Sequence, residues 1–262
     1  MYKELRATTS TPSMWSTTFL AQPTLPARVA GKLRVLDTRW KAIRQALKRG
    51  ERVLDAGCGM GDWVEFLRQR GYTATGLDYS ETLVERLRRV RPETEWIQGE
   101  IQRIPLPDGE LDGVISWGVI EHDESGPGSA LREFHRVLRP GGWIFVTVPI
   151  DTPSQRASSE VQFADERATG RFFQYFFTEA ELASVVSEAG FQVSSVTPCG
   201  YHYALALPRT YVRLSRAPAA VQAVTTRALN VWARTRKDTF NMALAVAQKP
   251  GGVAPRDERS HV

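Results

Sequence analysis

The chain of 262 residues is 42% hydrophobic and 24% charged, which is the ordinary composition of a globular protein with one sizeable core. It has no run of about 18 uncharged apolar residues and no apolar segment behind a basic start, so we expect neither a membrane span nor a secretory signal. We therefore expect a cytoplasmic protein. The two cysteines, Cys58 and Cys199, are too few and too far apart for a zinc site or a disulfide framework.

The net charge of +5 is unevenly distributed along the chain. Residues 1–50 carry a net charge of +8, residues 51–199 carry −10, and residues 200–240 carry +6. An acidic centre between two basic segments suggests that both segments cover one side of the centre as a lid over its ligand site. The predicted parts are an N-terminal segment with a helix (1–50), an α/β core (51–200), a basic helical insert (201–240), and a last strand with a tail (241–262).

The first half of the chain alternates between strand and helix patterns after an irregular start. Residues 1–25 are polar and interrupted by prolines, so we expect a segment without regular structure, mobile or draped over the fold. Apolar residues recur every three or four positions from Val29 to Leu47, which predicts an amphipathic helix. Strands are then predicted at Arg52–Ala56, Thr73–Leu77, Thr94–Gln98, Leu111–Trp117 and Trp143–Val148, with helices near Trp63–Arg70, Glu81–Arg91 and Ser129–Leu138.

This alternation predicts right-handed crossovers and a parallel sheet that is covered on both faces. The pattern stops after Pro149 and resumes with a helix at Thr178–Ala189 and a strand at Phe191–Thr197. A last strand is predicted near Met242–Ala247, after the basic insert. The predicted fold class is therefore α/β.

Three glycines follow the first predicted strand, in the stretch VLDAGCGMGDW. A ligand of an open parallel sheet binds beyond the carboxyl ends of the strands, and glycines there let it approach the backbone closely. The dinucleotide spacing G-x-G-x-x-G would place its third glycine at Asp62, whose carboxylate is unsuited to a pyrophosphate. A nicotinamide-dependent oxidoreductase is thus disfavoured, and Asp55 together with Asp62 favours a ligand with positive charge.

Two further acids follow the next two predicted strands. Asp78 ends the second strand in TGLDYS, where a carboxylate can accept hydrogen bonds from both hydroxyls of a ribose. Glu100 follows the third strand and precedes Ile101, a pair that suits the exocyclic amine and the face of a purine. The loops therefore provide for a ribose, a purine and a cationic group.

At this point the sequence resembles the class I S-adenosylmethionine-dependent methyltransferases. The resemblance covers about Val53–Phe191 and rests on LDAGCGMG, GLDYS, GEIQRIPLPDGELDGVISWGVIEH, LREFHRVLRPGGWIFVTVP and FTEAELASVVSEAGF in this order. It implies a Rossmann-like, mostly parallel sheet of seven strands with an antiparallel last strand and helices on both faces, and here a helical insert as a lid. It also implies S-adenosylmethionine as the cofactor.

The resemblance assigns roles to particular residues. It implies that Asp55 lies near the methionine amino group, that Asp78 binds the ribose, and that Glu100 and Ile101 meet the adenine. The family usually has aspartate where Glu100 stands. A metal ion is not implied, because Gly118 stands where some quinone-pathway relatives carry a metal-binding acid. The other implied cofactor-binding residues are Gly57, Cys58, Gly59, Gly61, Tyr79, Trp117 and Gly118.

The pair Glu121-His122 follows the fourth predicted strand. A histidine beside a carboxylate can act as a general base, so His122 is the candidate catalytic residue. Because the pair is common in family members with unlike substrates, we favour a structural role in which it orients its loop by hydrogen bonds. Candidate substrate-binding residues are Phe173 and Tyr175, in an aromatic cluster that core packing explains equally well, and Tyr201 and His202 at the start of the insert.

We expect a methyltransferase that acts on oxygen or nitrogen of a small or lipophilic biosynthetic acceptor. The basic insert is most simply a solvated helical face, but it could also contact an acidic acceptor, an anionic membrane surface or RNA. RNA is the weaker option, because no nucleic-acid module is appended and no N-P-P-Y-like sequence follows the fourth strand. An RNA methyltransferase and a non-catalytic interaction module stay open as alternatives, and neither the acceptor nor the oligomeric state is predicted.

Overall fold

The computed structural model describes residues 1–6, 10–21, 37–153, 155–156, 170–199 and 242–251. The strands are β1 (Tyr2–Arg6), β2 (Arg52–Ala56), β3 (Thr73–Asp78), β4 (Trp96–Gln98), β5 (Leu111–Trp117), β6 (Leu138–Pro149), β7 (Arg171–Phe176), β8 (Gln192–Cys199) and β9 (Met242–Gln248). The helices are α1 (Pro12–Ala21), α2 (Thr38–Ala46), α3 (Asp62–Arg68), α4 (Glu81–Val90), α5 (Gly128–Val137) and α6 (Glu179–Glu188), and a 3₁₀ turn spans Ile120–His122.

Seven strands form one sheet in the order β4-β3-β2-β5-β6-β9-β8. Strands β2 to β6 pair in parallel, whereas β9 runs antiparallel to both of its neighbours. The predicted seven-stranded, mostly parallel sheet with an antiparallel last strand is therefore confirmed. The direction of the strand order reverses at β2, because β3 lies on one side of it and β5 on the other, which makes the carboxyl end of β2 the switch point of the sheet.

The sheet buries an apolar cluster on each face, because successive side chains of a strand point to opposite faces. Leu54 and Val114 face one cluster, together with Phe134 of α5. Val53 and Ile115 face the other, which helices α2, α3 and α4 cover with further apolar side chains. Helices therefore cover both faces, as predicted. None of the helices in the described parts of the chain is long and apolar enough to cross a bilayer.

Two stretches within residues 1–25 have regular structure, so the prediction that this segment is irregular was wrong for them. Strand β1 pairs antiparallel with β7, which was not predicted either, and Tyr2 lies opposite Phe176. The pairing joins short segments about 170 residues apart, which no local pattern shows. Helix α1 has a weak apolar periodicity because hydroxyl residues such as Ser16 take part in its buried contacts. Thr11 followed by Pro12 was the available signal, since proline is favoured in the first turn of a helix.

The remaining predicted parts are covered unequally. Helix α2 lies within the predicted helix 29–47, and its N-cap residue Asp37 accepts a hydrogen bond from the Arg39 N–H at 2.9 Å. Residues 29–36 and the basic insert 201–240 lie outside the described residues, and so do Tyr201 and His202. The domain division and the lid role of the insert stay predictions.

Candidate cofactor-binding site

A cavity of about 340 Å³ lies at the carboxyl edge of the sheet, at the switch point. The loops after β2, β3, β4 and β5 line it, and helix α1 lies over it. The cavity brings together a large part of the residues that were predicted to bind the cofactor or to act on the acceptor. Those that line it are Gly57, Asp78, Tyr79, Glu100, Ile101, Trp117, Gly118 and His122.

The glycine loop after β2 is folded tightly against the strand ends beside it. The N–H groups of Gly57 and Cys58 both donate to the carbonyl of Leu77, at 2.8 and 2.9 Å. Gly57 has a φ of +86°, and a Cβ atom on it would lie 2.5 Å from a methyl carbon of Val119. The loop therefore needs this glycine for its own packing, as well as for the close approach of a ligand.

Asp78 is the acid at the centre of the site, and only 5% of it is exposed. Its Oδ2 accepts a hydrogen bond from the Gly59 N–H and its Oδ1 accepts one from the Ser80 N–H, both at 2.9 Å. Burial raises the pKa of Asp78, although these backbone donors act in the opposite direction. Each carboxylate oxygen has a second lone pair, so Asp78 can still accept the hydroxyls of a ribose.

A second acid, Asp55 of β2, and a cation, Arg39 of α2, are near enough for their charges to interact, although neither lines the cavity. Asp55 is 2% exposed, and its negative charge acts on Arg39. The Arg39 guanidinium lies 4.9 Å from the ring centre of Trp63 and 5.3 Å from that of Trp117. Burial lowers the pKa of Arg39, but the hydrogen bonds and charge of Asp37 outweigh it and raise the pKa overall. A zwitterionic amino-acid group, with an ammonium for Asp55 and a carboxylate for Arg39, fits this pair.

Sequence reasoning missed Arg39. Helix α2 runs in the direction opposite to the strand that follows it, so its first turn lies at the carboxyl edge of the sheet, where ligands bind. A cation in that first turn was therefore the signal that could have identified Arg39 as a site residue.

The loop after β4 presents the pair that was predicted to meet the adenine. Gly99 donates its N–H to the carbonyl of Asp78 at 3.0 Å, and Arg103 donates its N–H to the carbonyl of Glu100 at 3.0 Å. Glu100 is exposed and Ile101 is nearly buried, so one polar and one apolar side chain lie at the start of this turn. Both line the cavity next to Tyr79.

His122 is in contact with residues from two distant parts of the chain, Trp15 and Phe173. Its Nδ1 lies 2.8 Å from the carbonyl oxygen of Phe173, and because a carbonyl only accepts, Nδ1 carries the proton. The imidazole makes edge contacts with the rings of Trp15 and Phe173, with ring centres 5.1 and 5.2 Å away. An orienting role requires a hydrogen bond of this kind. The role itself stays a prediction.

Glu121 points away from bulk water. Only 2% of it is exposed, and burial raises its pKa to about 8, so its carboxyl group is mostly protonated at neutral pH. Among the residues that the structure describes, none forms a hydrogen bond with its Oε2. The role of the Glu121-His122 pair stays a prediction.

Helix α1 contacts three of the loops that form the site. The Ser16 and Ser80 hydroxyls are 2.6 Å apart in a buried pair, which joins α1 to the loop after β3. The Phe19 ring covers the glycine loop, since a Cβ atom on Gly59 would lie 3.2 Å from it. Trp15 reaches the loop after β5 through His122. The N-terminal segment therefore forms the outer wall of the site, and sequence reasoning did not name any of these residues.

The four predicted acceptor residues are placed unequally. Phe173 packs against His122 and Trp15 beside the cavity, without being part of its lining. Tyr175 lies farther out, where its hydroxyl donates to the carbonyl of Glu124 at 2.9 Å. Of the two that the structure describes, Phe173 alone lies next to the candidate catalytic histidine, and the roles of both aromatic residues stay predictions.

The comparison with known proteins agrees with this site. The sequence profile of a family described as "Methyltransferase domain" matches residues 31–196, which is more than half of the chain. The chain is 33% identical over 148 residues to a "Probable S-adenosylmethionine-dependent methyltransferase" of Mycolicibacterium smegmatis, over 55% of this chain and 53% of that protein. It is 34% identical over 124 residues to malonyl-[acyl-carrier protein] O-methyltransferase of Serratia marcescens, over 47% of this chain and 48% of that protein. The chain spans about half the length of these curated relatives.

Solved structures share the fold at low sequence identity. A methyltransferase solved with the Haloferax volcanii Trm112 activator has a TM-score of 0.63 and 20% identity, over 92% of this chain and 97% of that chain. The [4+2]-cyclase SpnF has a TM-score of 0.61 and 19% identity, over 96% of this chain and all of that chain. Since a cyclase shares it, the fold alone does not determine the reaction. It is the family match over residues 31–196 that shows that this chain belongs to the class I S-adenosylmethionine-dependent methyltransferases, with S-adenosylmethionine as the cofactor.

Proposed function

We propose that this protein transfers the methyl group of S-adenosylmethionine to an oxygen or nitrogen atom of a small or lipophilic acceptor. The observation that supports it most strongly is the placement of one acid at the carboxyl end of each of three neighbouring strands, namely Asp55 in β2, Asp78 as the last residue of β3, and Glu100 just after β4. Asp55, Asp78 and Glu100 match an ammonium group, a ribose and an exocyclic amine in that order. The bound cofactor supplies a methyl group that its sulfonium makes electrophilic.

Each residue of this set has a separate task in binding. Asp55 accepts hydrogen bonds from the methionine ammonium, while Arg39 donates to the carboxylate at the same end of the cofactor. Asp78 accepts from the ribose hydroxyls with the lone pairs that the backbone leaves free. Glu100 accepts from the adenine amine as Ile101 packs on the purine face.

The protein's contribution to the reaction is alignment and exclusion of water. The rings of Trp15, Phe19 and Trp117 line the cavity, and α1 covers the loops that hold the cofactor. His122 is held by the Phe173 carbonyl, so it keeps the loop after β5 in position beside the acceptor. An amine acceptor then needs only deprotonation, whereas a hydroxyl acceptor gains from a base at His122.

The nature of the acceptor is supported less directly. One relative is named a malonyl-[acyl-carrier protein] O-methyltransferase, and that name supports an oxygen acceptor on a small acyl compound. The net positive charge of residues 201–240 in the sequence is compatible with an acidic acceptor or an anionic membrane. In the residues that the structure describes, nothing favours RNA as the substrate or a non-catalytic interaction module.

Replacing Asp78 tests the assignment of the ribose. We expect Asp78→Ala to weaken binding of S-adenosylhomocysteine by about 1.5–3 kcal/mol, because charge-assisted hydrogen bonds to the ribose are lost. Isothermal titration calorimetry measures the affinity, and Asp78→Asn retains the shape of the side chain. Glu85→Gln, which removes an exposed carboxylate from helix α4 after the same strand, is the charge control and should bind normally. An unchanged affinity in Asp78→Ala would contradict the assignment.

The role of His122 can be separated into orientation and proton transfer. In His122→Gln the side-chain amide can still donate to the Phe173 carbonyl but cannot titrate, so we expect substantial activity and a nearly unchanged pH profile. Turnover is measured against pH with the first compound that accepts labelled methyl groups in a screen of small acyl and hydroxyl compounds. A loss of about a hundredfold or more, together with the loss of one limb of the profile, would show that His122 is the general base.

If helix α1 is a lid over the cavity, it must move away from the loops that form the site before the cofactor can enter or leave. The Ser16 and Ser80 hydroxyls are close enough that Ser16→Cys combined with Ser80→Cys should form a disulfide across the lid. We expect the oxidised variant to neither bind nor release S-adenosylhomocysteine at a measurable rate, and the reduced variant to bind it. Stopped-flow fluorescence measures both rates, with the two single variants as controls. Equal exchange in the oxidised and reduced forms would argue against a lid.

A further inference from the structure

The turn that presents Glu100 and Ile101 is held at both of its ends. At its start, the Gly99 N–H donates to the carbonyl of Asp78 at 3.0 Å. At its end, the Ile104 N–H donates to Oε1 of Glu133, in helix α5, at 2.8 Å. The turn lies outside the strands of the sheet, so these contacts replace the hydrogen bonds that a neighbouring strand would make.

The guanidinium of Arg136 makes five hydrogen bonds at this place. It donates to the carbonyls of Ile104 and Leu106, both at 2.9 Å, and to Asp108 at 2.6 Å. Its other two bonds go to Glu133, at 2.7 and 2.9 Å. Arginine has five N–H donors in a planar fork, and a lysine could not reach this set of acceptors.

The Glu133–Arg136 pair therefore binds Ile104 through both of its backbone groups. The side chain of Ile104 is also buried, in the same apolar cluster as Phe134 of α5. The hydrogen bond from Arg136 lowers the pKa of Glu133, which favours the charged carboxylate. Because two of the arginine's bonds go to loop carbonyls, the pair does more than an exposed ion pair between side chains, which contributes little by itself.

We propose that Glu133 and Arg136 are positioning residues for the recognition of adenine. They fix the end of the turn and thereby set the direction in which Glu100 points and the height at which Ile101 meets the purine. Neither residue lines the cavity, so they act through the loop. This inference rests on the proposed placement of the adenine at Glu100 and Ile101.

The test compares two nucleoside ligands that differ at the exocyclic amine. S-adenosylhomocysteine carries the amine, and S-inosylhomocysteine has a carbonyl oxygen in its place. We expect the wild-type protein to prefer the first by about tenfold or more, since a hydrogen bond to a charged group is worth about 1.5–3 kcal/mol. In Arg136→Gln the preference should fall close to one. A general loss of protein stability would weaken the binding of both ligands equally and leave the ratio of their affinities unchanged.

Matched variants separate the possible failures. Arg132→Gln removes an exposed arginine from the same helix and should keep the full preference. Loss of the preference in Glu100→Gln but not in Arg136→Gln would overturn the positioning role while supporting the placement of the adenine. A wild-type protein with no preference, or a Glu100→Gln variant that retains it, would overturn the placement and the inference with it. Should Arg136→Gln fail to fold, Arg136→Lys and Glu133→Gln are measured in the same way, with the same result expected.

Discussion

The backbone hydrogen bonds to Asp78 hold the site together. Its carboxylate accepts the N–H groups of Gly59 and Ser80, and its own carbonyl accepts the N–H of Gly99. One residue at the end of β3 thus joins the loops that follow β2, β3 and β4. Because the cofactor is proposed to lie across these loops, the positions of its ribose and its methionine part depend on the carboxylate of Asp78, and the position of its adenine depends on the backbone carbonyl of the same residue.

The remaining wall of the site comes from parts of the chain at or beyond the edge of the sheet. Ser80 begins α4 as its N-cap residue, with a side chain that accepts the Leu83 N–H, and the same hydroxyl pairs with Ser16 of α1. Strand β7, paired with β1, brings the Phe173 carbonyl to His122. Strand β1 and helix α1 lie within residues 1–21 and therefore before the region 31–196 that matches the family. The loops that line the bottom of the cavity belong to the matched region, whereas α1, which covers the cavity, does not.

The floor of the site could be predicted because local patterns encode it. A buried strand ending in Asp55, and another ending in Asp78, show in the sequence as apolar runs closed by an acid, and parallel strands bring their ends together. The strand and the helix of the cover could not be predicted in the same way, since the pairing of β1 with β7 depends on contacts between distant segments. Helix α1 packs through hydroxyl groups such as Ser16, which carry no apolar period.

Polar side chains that act at a distance were also beyond the sequence patterns. Arg39 stands in the first turn of α2, and this signal becomes readable only once the direction of the helix relative to the sheet is taken into account. Arg136 stands in the matched motif LREFHRVLRPGG, but its five acceptors belong to a loop about thirty residues earlier and to one acid on its own helix. Such contacts depend on the packing of α5 beside the loop, which the spacing of residues does not show.

The central claim is that Asp78 holds the ribose of the cofactor at the switch point of the sheet. A crystal structure of the protein with S-adenosylhomocysteine tests it most directly. We expect both ribose hydroxyls within about 3 Å of the Asp78 carboxylate oxygens, with the Gly59 and Ser80 bonds intact. A ribose bound away from Asp78, or an adenine on the far side of α1 from Glu100, would contradict the account.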